Sequence, residues 1–345
     1  AIGLGYNTRM KILSILGREH ELCRAELEAV YGPVEKLGNF GAVFNVDSEN
    51  EKPNIDHLGG SIKLCQVEQS SLPAKASESE IASTISELLI THATTGKLNF
   101  AISLYGLYPG ELRRLQRLGL SVKKQLVTQG IGTRYVAPKS GSALTAAQIK
   151  YNNLTSKGTE VVVVVLPSGI SIARTFGVQD IDSYSKRDWD RPVRDSKVGM
   201  LPPKLAQIMI NLAGLKQGTG IFDPFCGNGV IMQEALLAGH DTFGSDISPD
   251  MVEATQKNLD WLKDNYELAT QYSVELADAT RLGRLPENSI IVTEGYLGTP
   301  TTRPLSPAEI SSRRQPVEDI YEKFLKNTAQ LMESGQQMVI SFPAW

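Results

Sequence analysis

Cysteine and histidine are scarce: the 345 residues include three cysteines (Cys23, Cys65, Cys226) and four histidines. The cysteines lie far apart without metal-ligand spacing, which excludes a disulfide scaffold or a zinc ribbon. They fit buried thiols in a reducing, cytoplasmic compartment. The histidines are too scattered to supply a metal site. No apolar run reaches the length of a membrane span and no signal peptide opens the chain, so neither an anchored nor an exported protein is expected. Residues 1–9, AIGLGYNTR, read as a leader outside the fold. An excess of one charge is also missing. Lys and Arg number 35 against 38 Asp and Glu, a net charge of −3. That balance excludes a uniformly basic nucleic-acid binder and leaves room for a local basic face. What is present is ordinary for a globular protein, 41% hydrophobic and 21% charged, over a length that can form two or three cores.

Residues 10–47 read as strand, helix, strand. KILSILG is β-capable, CRAELEAVYG carries Leu27, Val30 and Tyr31 at helical spacing and stops at Gly32, and GAVFNV is a second strand. The polar VEQSSLPAKASESE breaks the pattern before the amphipathic helix IASTISELLITHA, which puts a boundary near residue 72. From LNFAISLYG a second unit begins with an alternating strand. GELRRLQRLGLSVKKQLV follows as a basic helix and strand, and SALTAAQIKYNNLTSKG as a helix. A hairpin turning at Pro167-Ser168-Gly169 closes the unit. Between Glu111 and Lys150 the basic residues are Arg113, Arg114, Arg117, Lys123, Lys124, Arg134, Lys139 and Lys150, and Glu111 is the only acid. Such a run is either a solvated helix face or a phosphate-backbone surface, and the missing acids leave its potential unneutralised, as the second requires. PPKLAQIMINLAG then reads as a helix with prolines at its start. From Gly220 onward strands and helices alternate, with a last helix from about Val317 to Met332 and a fifth strand in QMVISF. That alternation indicates a parallel, doubly wound sheet.

The chemistry concentrates at the strand ends of this sheet. DPFCGNGV (223–230) ends its first strand and opens the next helix, where glycines allow a tight turn and the close approach of a ligand. Its G-x-G is not the longer dinucleotide fingerprint, and alone it is equally a plain strand–helix turn. A second acid, Asp246 in FGSDIS, stands where a carboxylate accepts both hydroxyls of a ribose, and a third, Asp278 in ELADAT, where an adenine amino group is read. Three acidic strand ends at one sheet edge point to a nucleoside site, and TEGYLG arrives at the same edge from the fourth strand.

This order resembles class I S-adenosylmethionine-dependent methyltransferases more than a nicotinamide enzyme. RDWDRPVRDSKVGMLPPKLAQIMINLAG followed by DPFCGNG resembles the linker and first motif of the THUMP-domain tRNA guanosine-N2 methyltransferase family. FAISLYG and the basic helix after it resemble that family's THUMP domain, and LSILGREHELCRAELEAVYG its N-terminal α/β extension. The likeness runs from residue 10 to about 300. It implies an α/β chain with a ferredoxin-like N-terminal module (10–72), a THUMP-like RNA-binding domain (73–178), a linker (179–200) and a Rossmann-like methyltransferase domain (201–345). By the same likeness S-adenosylmethionine is held by Asp223, Pro224, Phe225, Cys226, Gly227, Gly229, Asp246, Ile247, Asp278 and Ala279. The likeness also implies transfer RNA as the partner, gripped through Arg113, Arg114, Arg117, Lys123, Lys124 and Arg134.

The family's loop has the form V-T-D-P-P-Y-G, and VTEGYLG (292–298) matches it without a gap. Glu294 then replaces the aspartate, Gly295 and Tyr296 the prolines, and Leu297 the aromatic. A guanine N2 amine is a poor nucleophile because its lone pair is delocalised into the ring, so placement supplies most of the catalytic gain. The two oxygens of a glutamate match the N1–H and N2–H donors of guanine. Gly295 still offers a carbonyl, without proline's rigidity, and Tyr296 can stack on an extruded base. The plain alternative is a solvated strand-end glutamate and a tyrosine packed under its loop.

Other candidates count for less. Cys226 has no histidine near it in sequence and reads as a buried thiol. In KRDWDRPVRD, Arg187, Arg191 and Arg194 could bind RNA and Trp189 stack on a base, but the arginines interleave with Asp188, Asp190 and Asp195, which suggests a salt-bridged linker anchored by Trp189. A sheet ending at QMVISFPAW leaves an edge that a further segment or a partner chain would complete. Rival functions are a DNA or other amine methyltransferase of the same fold, and an RNA-binding protein that keeps cofactor affinity without turnover.

Overall fold

The computed structural model describes residues 9–47, 51–92, 96–107, 115–194, 200–216, 218–299, 301 and 303–344. The chain divides into two units, residues 1–56 with 60–181 and residues 57–59 with 182–345.

The first unit is built on one eight-stranded mixed sheet of order β2-β3-β1-β4-β8-β7-β5-β6. Its strands are β1 (Met10–Leu16), β2 (Glu35–Leu37), β3 (Gly41–Val46), β4 (Ser61–Leu72), β5 (Leu98–Tyr105), β6 (Thr133–Val136), β7 (Gly158–Leu166) and β8 (Gly169–Val178). The helices are α1 (His20–Tyr31), α2 (Glu78–Thr91), α3 (Leu118–Thr128) and α4 (Ala146–Tyr151). The sheet runs unbroken across residue 72, because β4 pairs with β1 on one side and β8 on the other. The polar stretch that suggested a boundary there belongs partly to this strand. Its Gln66 and Glu68 accept hydrogen bonds from Arg174 of β8 at 3.4 and 3.2 Å, a cross-strand polar pairing that needs no apolar alternation.

One face of the sheet packs Phe100, Ile102, Val161 and Val163 against Ile81, Ile85 and Leu89 of α2 and Leu118, Val122 and Leu126 of α3. The strand expected within LSVKKQLV is therefore helix α3. Its apolar residues satisfy both periods, and packing against α2 selects the helical set: Leu118, Val122 and Leu126 are fully buried while Leu120 is 60% exposed. On the other face Phe40, between β2 and β3, stacks on Tyr105 of β5 at 5.6 Å. A buried polar network crosses this sheet. Lys63 Nζ donates to Glu160 Oε1 at 2.6 Å, and Ser103 and Thr175 donate to the same carboxylate at 2.5 and 2.6 Å. Those partners satisfy a charge that burial alone would expel.

The second unit is a five-stranded, all-parallel sheet of order β11-β10-β9-β12-β13. The strands are β9 (Gly220–Asp223), β10 (Thr242–Asp246), β11 (Tyr272–Leu276), β12 (Ser289–Glu294) and β13 (Met338–Ser341). The helices are α5 (Ile181–Trp189), α6 (Pro203–Leu212), α7 (Val230–Leu237), α8 (Pro249–Asn265) and α9 (Pro307–Leu331). Neighbouring strand residues go to opposite layers. Ile221 and Val292 pack on α6 and α7, whereas Phe222 and Ile291 pack on Phe324 of α9. The strand order reverses between β9 and β12, which opens a crevice at their carboxyl ends. Helix α9 starts ten residues before its expected Val317. A capping box of Ser306 and Glu309 with Pro307 in the first turn sets its start, and Pro316 is accommodated inside it. Among the described residues no helix is long and apolar enough to cross a membrane.

Candidate active site

The carboxyl ends of β9, β10 and β12 open onto a cleft of about 770 Å³ that lies wholly within the second unit. Of the residues expected to hold the cofactor, Asp223, Pro224, Phe225, Cys226, Gly227, Asp246, Ile247, Asp278 and Ala279 line it, as do Glu294, Gly295 and Tyr296 of the expected catalytic loop. Gly229 does not. It caps α7 in a left-handed conformation (φ 78°), and a Cβ there would meet Thr255 Cγ2 at 2.8 Å. Its glycine thus serves the seating of the turn against α8.

Asp246 reaches back from β10 to the glycine turn. Its Oδ2 accepts the Gly227 N–H at 3.0 Å and its Oδ1 the Ser248 N–H at 2.9 Å. Each carboxylate oxygen keeps a further acceptor site. Asp278 accepts from the Thr280 hydroxyl at 2.7 Å and the Thr280 N–H at 2.9 Å, and these two bonds hold its pKa below the usual aspartate value.

Asp223 is buried. It accepts from Thr293 Oγ1 at 2.6 Å and the Phe225 N–H at 3.2 Å. Burial outweighs both bonds and pushes its pKa up to about 7. The folded state therefore binds a proton that the unfolded chain has released. The contribution is full below the unfolded aspartate range and is lost as pH rises through about 7. Stability is expected to decline over that window, and Asp223→Asn is expected to flatten the decline. Denaturant titrations of both proteins at about pH 5 and about pH 8 provide the comparison.

Glu294 ends β12 half-buried, its carboxylate making no hydrogen bond among the described residues, and burial raises its pKa. Tyr296 lines the cleft and is 42% exposed. Burial pushes the Cys226 thiol up, which disfavours the thiolate a nucleophile needs.

Several residues at the site were not anticipated. Met200, Leu201, Asn228, Met251, Thr280 and Ile320 also line the cleft. Asn228 Oδ1 is buried without a partner among the described residues. Asn258 of α8 ties the linker to the glycine turn by donating to the carbonyls of Val193 and Asn228, both at 3.0 Å, and accepting the Val193 N–H at 2.9 Å. No local motif marks Asn258, because its partners are distant in sequence.

The linker arginines meet the expected salt bridging in part. Arg187 pairs with Glu234 of α7 at 2.7 and 3.2 Å, and the interleaved aspartates do not take that role. Arg191 is buried and pairs with the interleaved Asp188 at 3.9 Å, as expected. Trp189 is 61% exposed with Arg194 stacked 4.1 Å from its ring centroid, so it does not anchor the linker. Asp195 lies outside the described residues.

In the first unit Arg117, Lys123, Lys124 and Arg134 are exposed and form no ion pair among the described residues. Arg113 and Arg114 lie outside the described residues.

Comparison with known proteins agrees with the family resemblance of the motifs. Residues 191–344 match the family described as "RMKL-like, methyltransferase domain". A tRNA (guanine(10)-N2)-dimethyltransferase from Methanothermobacter thermautotrophicus is 36% identical over 146 residues, 42% of this chain and 39% of that protein. A second protein of that name, from Pyrococcus abyssi, is 31% identical over 181 residues, 51% of this chain and 47% of its own length. The matched stretch thus spans less than half of either relative. TrmN from Thermus thermophilus shares the fold at TM-score 0.52 and 17% identity, covering 96% of this chain and 88% of that one. A further structure, solved in complex with SAH, has TM-score 0.50 and 12% identity over 97% of this chain and 88% of its own. The fold of the second unit is the Rossmann-like methyltransferase fold.

Proposed function

We propose that this chain, with its RMKL-like methyltransferase domain as the catalytic unit, transfers a methyl group from S-adenosylmethionine to the exocyclic N2 amine of a guanine in tRNA. The observation that carries this reading is the convergence of Asp223, Asp246, Asp278 and the Glu294 loop on one cleft. The cofactor, when bound, supplies an electrophilic methyl on a sulfonium. The cleft suits such a group: its volume of about 770 Å³ is that of a small-molecule site, and Asn228 offers a buried acceptor without a partner.

Asp246 has acceptor capacity left for the ribose hydroxyls, and Asp278 is kept ionised to receive an adenine amine. Gly227 lets the backbone approach the amino-acid end. Glu294 accepts from the N1–H and N2–H of guanine and holds the amine lone pair in place. The Gly295 carbonyl serves as a second acceptor, and exposed Tyr296 stacks on the base. Arg117, Lys123, Lys124 and Arg134, which form no ion pair among the described residues, contact phosphates, and Arg113 and Arg114 continue that basic run in sequence. Three buried, unbridged cysteines fit a reducing, cytoplasmic setting.

Methyl transfer from labelled S-adenosylmethionine to unmodified tRNA transcripts, with the product nucleoside identified by mass spectrometry, tests the reading. Guanosine methylated once or twice at N2 is expected, with duplex DNA a poor substrate. N6-methyladenosine as the product would favour the rival amine methyltransferase. Cofactor binding without transfer would favour a non-catalytic RNA-binding protein.

A further inference from the structure

Gly295, directly after Glu294, has no room for a side chain. A Cβ there would lie 2.5 Å from Tyr321 Oη, 2.7 Å from its Cε1 and 2.8 Å from its Cζ. Gly227, Gly229 and Gly298 take positive φ, and Gly295 does not. Space, and not backbone conformation, therefore demands glycine at this position.

The ring that fills the space is held from three sides. Tyr321 belongs to the buried face of α9 with Val317, Phe324 and Thr328, which sets its register. Its hydroxyl donates to the Ser341 carbonyl at 3.1 Å, at the end of β13. Phe342 packs on it with ring centroids 4.7 Å apart. A wall tied to α9 and β13 thus stands where a loop side chain would otherwise be.

We propose that Tyr321 is a positioning residue of the Glu294 loop: its ring takes the place of a side chain at 295 and holds the Glu294–Gly295 backbone where its acceptors must stand. The catalytic role of that loop rests on the function proposed above. Where the resembling loop has a proline, the support here comes from another element, so a proline placed at 295 collides with the ring and does not improve the loop. Gly295 and Tyr321 form one unit, and neither can be enlarged alone.

The test uses the full chain and the variants Gly295→Ala, Gly295→Pro, Tyr321→Phe, Tyr321→Leu and the double Gly295→Ala/Tyr321→Leu. Gly295→Ala and Gly295→Pro are expected to lower kcat by about tenfold or more, since small misplacements near a reacting centre are costly. Cofactor Kd, measured by calorimetry with S-adenosylhomocysteine, should stay within about twofold of the parent. Tyr321→Phe keeps the ring and most of the activity. The double variant should be more active than Gly295→Ala, because removing the ring frees the space. A general loss of folded protein would instead change kcat and the number of cofactor sites together. Wild-type kcat in Gly295→Ala, or a double variant no better than the product of its singles, overturns the proposal.

If the wild-type chain methylates no tRNA, the functional reading fails and the packing claim is still decided by Tm. Gly295→Ala should lower it, and Tyr321→Leu should recover part of that loss in the same chain. Additive Tm changes overturn the claim. If Tyr321→Leu does not fold, Tyr321→Met takes its place in the same cycle.

Discussion

Asp246→Ala is expected to weaken cofactor binding by about two to three orders of magnitude, measured by calorimetry with S-adenosylhomocysteine. The substitution removes the proposed acceptor for the ribose hydroxyls. It also releases the Gly227 and Ser248 N–H groups, which the carboxylate holds at 3.0 and 2.9 Å. Hydrogen bonds to a charged group contribute about 1.5–3 kcal/mol each, and about 1.4 kcal/mol is a factor of ten in Kd. Asp246→Asn keeps one oxygen and should fall between the two. An alanine variant that binds the cofactor as tightly as the parent would remove Asp246 from the site.

The second large effect is expected at Glu294. Glu294→Ala should lower kcat by roughly 10²–10³ while cofactor Kd stays unchanged, because the side chain acts on the acceptor amine. Glu294→Gln is the more informative change. A carboxylate presents two acceptors, which match the two N–H donors of guanine, whereas an amide presents one acceptor and one donor. That pattern complements adenine, so the residual product of the glutamine variant should shift toward methylated adenine in nucleoside mass spectrometry. Burial raises the Glu294 pKa, and the accepting form is the ionised one. The acid limb of the kcat profile should therefore lie above the ordinary glutamate range and vanish in Glu294→Gln. A glutamine variant with wild-type kcat and product would contradict the role assigned to Glu294.

Much of the second unit was legible in the sequence because its signals are local. Short apolar strands alternate with amphipathic helices, and each of the residues Asp223, Asp246 and Glu294 directly ends a strand, so a parallel sheet brings them to one edge. The first unit was harder to read. LGLSVKKQLV supports a period of two as well as a helical one, and only its packing on α2 selects the helix. The strand β4 was hidden because its polar residues are paired across the sheet with Arg174.

Sequence by itself determined the element types of the parallel sheet, the glycine turn and the order of the acids, since each depends on residues close together in the chain. Tertiary structure alone decided the partners that come from afar: Glu234 for Arg187, Asn258 for the linker and the glycine turn, and Tyr321 for Gly295. These contacts join residues tens of positions apart, and no periodicity records which side chain will fill a given space. The glycine at 295 shows this most clearly. Read along the chain it stands where the resembling family's loop has a proline, and in the folded protein it is the room that a tyrosine needs.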